Sequence, residues 1–254
     1  MRQRKAKDLE TRLARCSGYM VYKDDGSLQA YCVGTTGAQT AGTGSAAAGA
    51  GTAGDLYVEI GCGKGQFIIK KAASDPDGRY LAIEGQETVI LRAADKAMCV
   101  SGETDWPENV PGEERMEGVS AKLDNLKFVN CFVEHMADFF EENQLTGVYL
   151  NFSDPWPKSR HAKRRLTYHK RLTDYAWALK PGGFIEIKTD NDDLFEFTLE
   201  EIEGAGPMLR ITEMTRDLHD PDCPYAAKEI TTEYEDKFAA KGKNINYVRV
   251  EVEK

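Results

Sequence analysis

Short apolar runs alternate with longer stretches of helical period along most of this chain. LYVEIG (56–61), YLAIE (80–84), LKFVNC (126–131), GVYLNFS (147–153) and GFIEIKT (183–189) have the length and β-rich content of buried strands. In the gaps, QFIIKKAA, TVILRAADKAMCV, HMADFFEEN, RRLTYHKRLTDYAWALK and DLFEFTLEEIE predict helices with one apolar face. Pro181-Gly182-Gly183 stops the fourth of these. LRITEMTRDL and the final YVRVEVE alternate strictly and predict a hairpin-like edge. Strand–helix alternation means βαβ units on a parallel sheet, an α/β fold whose ligands sit at the carboxyl ends of the strands.

Two segments interrupt the pattern. Gly34–Gly54 contains only Gly, Ala, Thr, Gln and Ser, so it reads as a flexible linker that sets off a basic N-terminal arm (1–33) from the rest (55–254). Ser101–Ser120, with six acids against one Arg, reads as a surface insertion. The chain has 254 residues, 41% hydrophobic and 30% charged, which suits a globular protein with a real core. No apolar run approaches the roughly 18 residues of a membrane span, and the charged N-terminus lacks an export signal. The six cysteines are scattered without metal-ligand spacing, so no metal is expected, and a reduced, cytoplasmic setting is the simplest account.

The formal net charge is −9, which makes the exception informative. From Lys158 to Arg171 there are seven Lys/Arg, two His and no acid. A solvated helix face mixes signs to gain ion pairs; a one-signed run including Lys158, Arg160, His161, Lys163, Arg164 and Arg165 suggests a polyanion and contacts to its phosphates. Taken singly, His161 reads as a loop or phosphate contact.

EIGCGKG follows a strand and opens a helix. Gly61, Gly63 and Gly65 form GxGxG, with Gln66 where a dinucleotide fingerprint carries its third glycine. Glu84, ending the next strand, stands where an acid accepts from ribose hydroxyls. A ribose-bearing cofactor without phosphates points to S-adenosylmethionine; a purely structural turn with an incidental acid is the alternative. Asp154 follows the fourth strand, and Pro155 and Pro157 stiffen the loop around Trp156. Asx-turn chemistry alone explains many Asp-Pro pairs. Asp-Pro-Trp-Pro differs from the Pro-Pro-aromatic loops that serve amino groups. A ring nitrogen such as guanine N7 fits better, because its lone pair needs alignment and no general base.

These blocks, with YLAIEGQETVILRAADKA, YLNFSDPWPKSRHAKRRLTY, GGFIEIKTDNDDLFEF and TTEYEDKFAAKGKNINYVRVEVE, closely resemble the bacterial tRNA (guanine-N7-)-methyltransferases over most of 55–254. The resemblance implies a Rossmann-like class I methyltransferase domain. Its sheet would be mostly parallel and seven-stranded, with a C-terminal antiparallel hairpin and helices on both faces. It implies methyl transfer from S-adenosylmethionine to N7 of a variable-loop guanine in tRNA. Glu59 and Glu84 match cofactor-binding acids, and Asp154 matches the acid treated as catalytic, which also borders the cofactor. Lys158, Asp190 and the tetrad Thr232, Glu233, Tyr234, Glu235 match positions assigned to tRNA. A carboxylate there can accept from N1–H and N2–H₂ of guanine, a pair adenine lacks.

Two departures stand out. Phe132 occupies the position of the family's usual Asp after the third strand, so adenine would be held by backbone groups, by packing on Phe132, or by Glu134. The linker replaces the family's usual connection before the first strand, and Arg2, Arg4, Lys5 and Lys7 remain candidate RNA contacts. A non-catalytic RNA-binding protein and a small-molecule methyltransferase are the competing readings. The intact Glu59, Glu84, Asp154 and glycines oppose the first, and the basic run opposes the second. Monomer and homodimer are both open.

Overall fold

The computed structural model describes residues 9–34, 54–106, 115–116 and 118–254. The linker at 35–53, the basic residues before position 9 and part of the 101–120 insertion lie outside the described residues.

The elements run α1 (Leu9–Arg15), α2 (Ser27–Val33), β1 (Leu56–Ile60), α3 (Gln66–Ser74), β2 (Arg79–Glu84), α4 (Glu87–Val100), β3 (Leu126–Asn130), β4 (Leu145–Asn151), α5 (His169–Ala178), β5 (Leu179–Thr189), α6 (Asp192–Gly204), β6 (Leu209–Thr215), α7 (Glu233–Ala239) and β7 (Asn246–Val252). The sheet has seven strands in the order β3-β2-β1-β4-β5-β7-β6. β7 is antiparallel to both β5 and β6, and the remaining pairs are parallel. The expected antiparallel C-terminal pair is therefore present, although residues 216–245, including α7, lie between its strands. Chain order reverses between β1 and β4, which opens a crevice at their carboxyl ends.

Alternate residues of β2 serve opposite faces of the sheet. Leu81 and Ile83 join a core with Val58, Ile60, Leu150, Ile185 and Val248. Tyr80 and Ala82 join a second core with Ile68, Ile69, Ile90, Ala94 and Phe128. Such alternation is what strand geometry gives when helices cover both sides.

The N-terminal arm does not stand apart as the linker suggested. Cys16, Tyr19, Met20, Val21, Leu28, Tyr31 and Cys32 are buried in the two cores. Residues 19–21 run beside β3: Val21 N–H donates to the Phe128 carbonyl (3.0 Å), and Phe128 N–H donates to that of Tyr19 (2.8 Å). Arg12 and Arg15 grip Asp95 on α4. The charges that made this segment read as an arm are one face of it, and its apolar residues cover the sheet edge. Arg79 then ties the segment down, donating to the carbonyls of Tyr31 (2.6 Å), Cys32 (3.0 Å) and Gly54 (2.9 Å).

Two helices differ from expectation. HMADFFEEN holds only a single 3-10 turn at Met136–Asp138, because its apolar period lasts one turn and Asn143 (φ 59°) reverses the chain. The fourth helix starts at His169; Ser159–Arg164 is 3-10, so most of the basic run lies on a separate short turn.

Candidate active site

The crevice at the switch point holds a cavity of about 340 Å³, of a size that suits a nucleoside ligand. Its walls are Glu59 and the turn Gly61–Lys64, the end of β4 at Asn151 and Phe152, and Thr232, Glu233, Tyr234 and Lys237 around the start of α7.

The turn is shaped by its glycines. Gly61 (φ 80°) and Gly63 (φ 55°) adopt left-handed backbone, and a side chain on either would project into open space. The third glycine has another task. A Cβ on Gly65 would come within 2.8 Å of the Ala93 Cβ, so Gly65 lets α3 start against α4. Gln66 is equally committed, because its amide donates to the Asp236 carboxylate (2.8 Å) and the Thr231 carbonyl (3.3 Å) and ties α3 to α7.

Glu59 is 1% exposed. The Asn151 amide donates to its Oε1 (2.8 Å), whereas Oε2 is buried without a partner. Burial pushes this carboxyl up to about 8, the Asn151 bond opposes the shift, and the nearby Glu233 adds to it. A buried carboxylate with an unused oxygen, beside a second acid, is a site for a cation or a hydrogen-bond donor. Glu84 accepts from the N–H of Gly63 (3.2 Å) and of Gln86 (2.9 Å), which holds its carboxylate at the rim of the turn.

Phe132 is 75% exposed, and its ring lies directly over Gly85: a Cβ there would meet the ring at 2.2 Å. β3 ends beside β2 through the Glu84 carbonyl, which accepts from Cys131 N–H (3.1 Å) and the Asn130 amide (2.8 Å). The exposed ring thus stands over the residue that follows Glu84.

From the cavity wall onward, the chain passes through two left-handed residues, Phe152 (φ 51°) and Trp156 (φ 40°). Such conformations are costly for side chains of this size and persist only where the surroundings enforce them. Arg165 is one enforcer: its guanidinium donates to the carbonyls of Pro155 (2.8 Å) and Trp156 (3.2 Å) and stacks on Phe197. Arg164 sits over the Trp156 ring (5.0 Å), and His161 meets that ring edge-on. Asp154, Lys158, Arg160 and Lys163 are exposed.

The tetrad divides. Thr232 caps α7 by accepting from Glu235 N–H (2.9 Å), and the Glu235 carboxylate accepts in return from Thr232 N–H (3.3 Å). Glu235 is fully buried under Lys188 and His219, so it differs from the expected tRNA contact and holds the helix instead. Glu233 and Tyr234 face the cavity, and Glu233 pairs with Lys96 of α4. Burial and the nearby Asp190 carboxylate raise the Tyr234 phenol. Lys96 and Lys188 were not singled out in the sequence; Gln66 was noted only for its place after the glycine turn, and Arg165 only as part of the basic run. The signal for Lys96 and Lys188 is a lysine placed on the apolar face of a helix or inside a buried strand.

Residues 53–248 match a family model described as "Putative methyltransferase". A protein of Mesoplasma florum named tRNA (guanine-N(7)-)-methyltransferase is 40% identical over 191 residues, 75% of this chain and 78% of that protein. One of the same name from Lactiplantibacillus plantarum is 41% identical over 187 residues, covering 74% and 76%. The chain belongs to the tRNA (guanine-N7-)-methyltransferase family. Solved structures extend the likeness in fold. An antibiotic-related methyltransferase superposes with a TM-score of 0.53 at 17% identity, covering 92% of this chain and 95% of that one. The 16S rRNA methyltransferase KamB gives 0.52 at 12% identity, covering 79% and 88%. The class I methyltransferase fold expected from the family is the fold observed. Among the described residues no cluster could hold a metal, and no helix is long and apolar enough to cross a membrane.

Proposed function

We propose that this protein transfers a methyl group from S-adenosylmethionine to N7 of a guanine in the variable loop of tRNA, forming 7-methylguanosine. The observation that carries the reading is the unpartnered buried oxygen of Glu59 in a cavity at the switch point of a methyltransferase sheet. The cofactor fits the residues present. Glu59 would accept from its ammonium end, Glu84 from its ribose, and Phe132 would stack on its adenine in place of the family's Asp. Glu134 and backbone groups are less direct, since the Phe132 ring already lies beside Glu84. When bound, the cofactor supplies an electrophilic methyl group.

The protein's part is alignment and charge. Guanine N7 offers an in-plane lone pair, so no residue has to remove a proton. Asp154, on the loop that Arg165 and the prolines hold rigid, faces the cation that develops on the purine. Glu233 and Tyr234 at the cavity, with Asp190 nearby, recognise the base. Lys158, Arg160, His161, Lys163 and Arg164 surround the loop and contact phosphates, while the negative remainder of the chain limits non-specific binding. Six free thiols, four of them buried, suit the cytoplasm, where the tRNA is found.

The test uses unmodified tRNA transcripts, S-adenosylmethionine and nucleoside mass spectrometry, with a control in which the variable-loop guanine is changed to adenine. 7-methylguanosine from the guanine transcript alone supports the reading. tRNA binding without methyl transfer to any transcript would replace it with a non-catalytic RNA-binding protein.

A further inference from the structure

Helix α7 is anchored at three places that leave Glu233 untouched. Gln66 holds Thr231 and Asp236, Lys70 donates to the Thr231 hydroxyl (3.3 Å), and Lys188 holds Glu235. Lys96 is different. It stands on the buried face of α4 at 4% exposure, and its ammonium pairs with the Glu233 carboxylate at the cavity wall. Because the helix is already fixed, this contact sets only the direction of one side chain. A sequestered ammonium is costly unless it is paired, so Lys96 and the Glu233 carboxylate hold each other in place.

We propose that Lys96 is a positioning residue, which aims the Glu233 carboxylate at the Watson–Crick edge of the target guanine. The inference rests on the reading of Glu233 as a base-recognising residue. One oxygen bound to Lys96 leaves the other free to accept from the purine N2 amino group. An unheld Glu233 would swing away from the neighbouring Glu59 and lose that register. Lys96 therefore acts on base choice and not on the methyl group itself.

The experiment compares kcat/KM on transcripts with guanosine or inosine at the methylated position. Inosine keeps N7 and N1–H and lacks only the 2-amino group. One lost hydrogen bond to a charged acceptor corresponds to about tenfold or more in favour of guanosine for the native protein. Lys96→Met should bring that ratio close to one while some methylation of both transcripts persists, and Lys96→Arg should restore it. A Lys96→Met variant that is slower on both substrates but keeps the native ratio would make Lys96 merely structural and overturn the proposal. Lys96→Gln serves in the same comparison if the Met variant does not fold. Glu233→Gln separates the two layers. If it loses discrimination and the Lys96 variants keep it, only the positioning role fails. If the native protein treats both bases alike, or Glu233→Gln keeps the full native preference, base recognition by Glu233 fails and the inference fails with it.

Discussion

Lys188 and Glu235 form an ion pair with almost no access to water: the ammonium lies 3.2 Å from each carboxylate oxygen, at 1% and 0% exposure. The remaining donor capacity of Lys188 goes to the carbonyls of Ala227 (2.6 Å) and Ile230 (2.9 Å), and His219 approaches Glu235 Oε1 (2.9 Å). Removing one partner of such a pair strands the other charge. Lys188→Met should cost about 3–5 kcal/mol in urea unfolding, and the double variant Lys188→Met/Glu235→Leu should recover part of it. A loss below 1 kcal/mol in the single variant would show that water reaches the pair.

In the role proposed for Glu59, its carboxyl, raised to about 8, should give cofactor binding a pH dependence. Its role requires the ionised form, so below about 8 each bound cofactor displaces a proton, and affinity should rise up to about tenfold per pH unit toward that value. The free protein should show the opposite trend. A carboxyl whose folded value lies above its unfolded value favours the protonated state, so stability is greatest below the ordinary carboxyl range and falls as pH rises through about 8. Calorimetric titrations and melting curves from pH 6 to 9 measure both, and Glu59→Gln should flatten both. A slope unchanged in the variant would assign the titration elsewhere.

The loop after β4 separates chemistry from grip. Asp154→Ala should lower kcat on the order of 10²-fold with tRNA affinity nearly intact. Arg165→Ala frees the Pro155 and Trp156 carbonyls and should also act on kcat. Lys163→Ala, by contrast, should weaken tRNA binding at low salt and reduce the slope of log K against log salt by about one. Fluorescence binding over a salt series distinguishes the two classes, and an Arg165 variant that changes the slope as Lys163 does would return Arg165 to the phosphate contacts.

Phe132 should act on the cofactor alone. Phe132→Ala is expected to raise the cofactor Kd by about tenfold, the scale of one lost aromatic–base stack, with tRNA affinity unchanged. Gly85→Ala should mimic it, because a methyl group at that position displaces the ring. Calorimetry with S-adenosylhomocysteine reads both, and native affinity in both variants would move adenine to another support.

The parallel strands were legible because each is a short apolar run, and most adjoin helices whose period holds for two turns or more, as in 87–100 and 192–204. HMADFFEEN misleads because Met136, Phe139 and Phe140 show helical spacing for a single turn. The segment at 16–33 was read by its charges and its distance from β1, whereas its place is decided by pairing with β3, over a hundred residues away, which local pattern cannot carry. In the site, Glu84 and the glycines stand out because their spacing is itself the signal, and Glu59 stands out through the family resemblance. Glu235 does not: Thr232-x-x-Glu235 is a capping-box spacing, visible in the sequence, but burial of Glu235 depends on Lys188 and His219. Lys96 is hidden for the same reason, since its partner lies 137 positions further along.

The guanidinium of Arg79 gathers the carbonyls of Tyr31, Cys32 and Gly54, so Cys32 and Gly54 are held within the span of one side chain. Gly54 is itself fitted closely, since a Cβ there would lie 2.3 Å from the Asp77 carbonyl. This doorway is at the start of β2, at the opposite end of the sheet from the cavity. It is therefore a natural place to cut and rejoin the molecule. A reporter domain inserted between the two posts, or a permuted chain beginning at one and ending at the other, inherits its closure from Arg79 and leaves the catalytic crevice undisturbed.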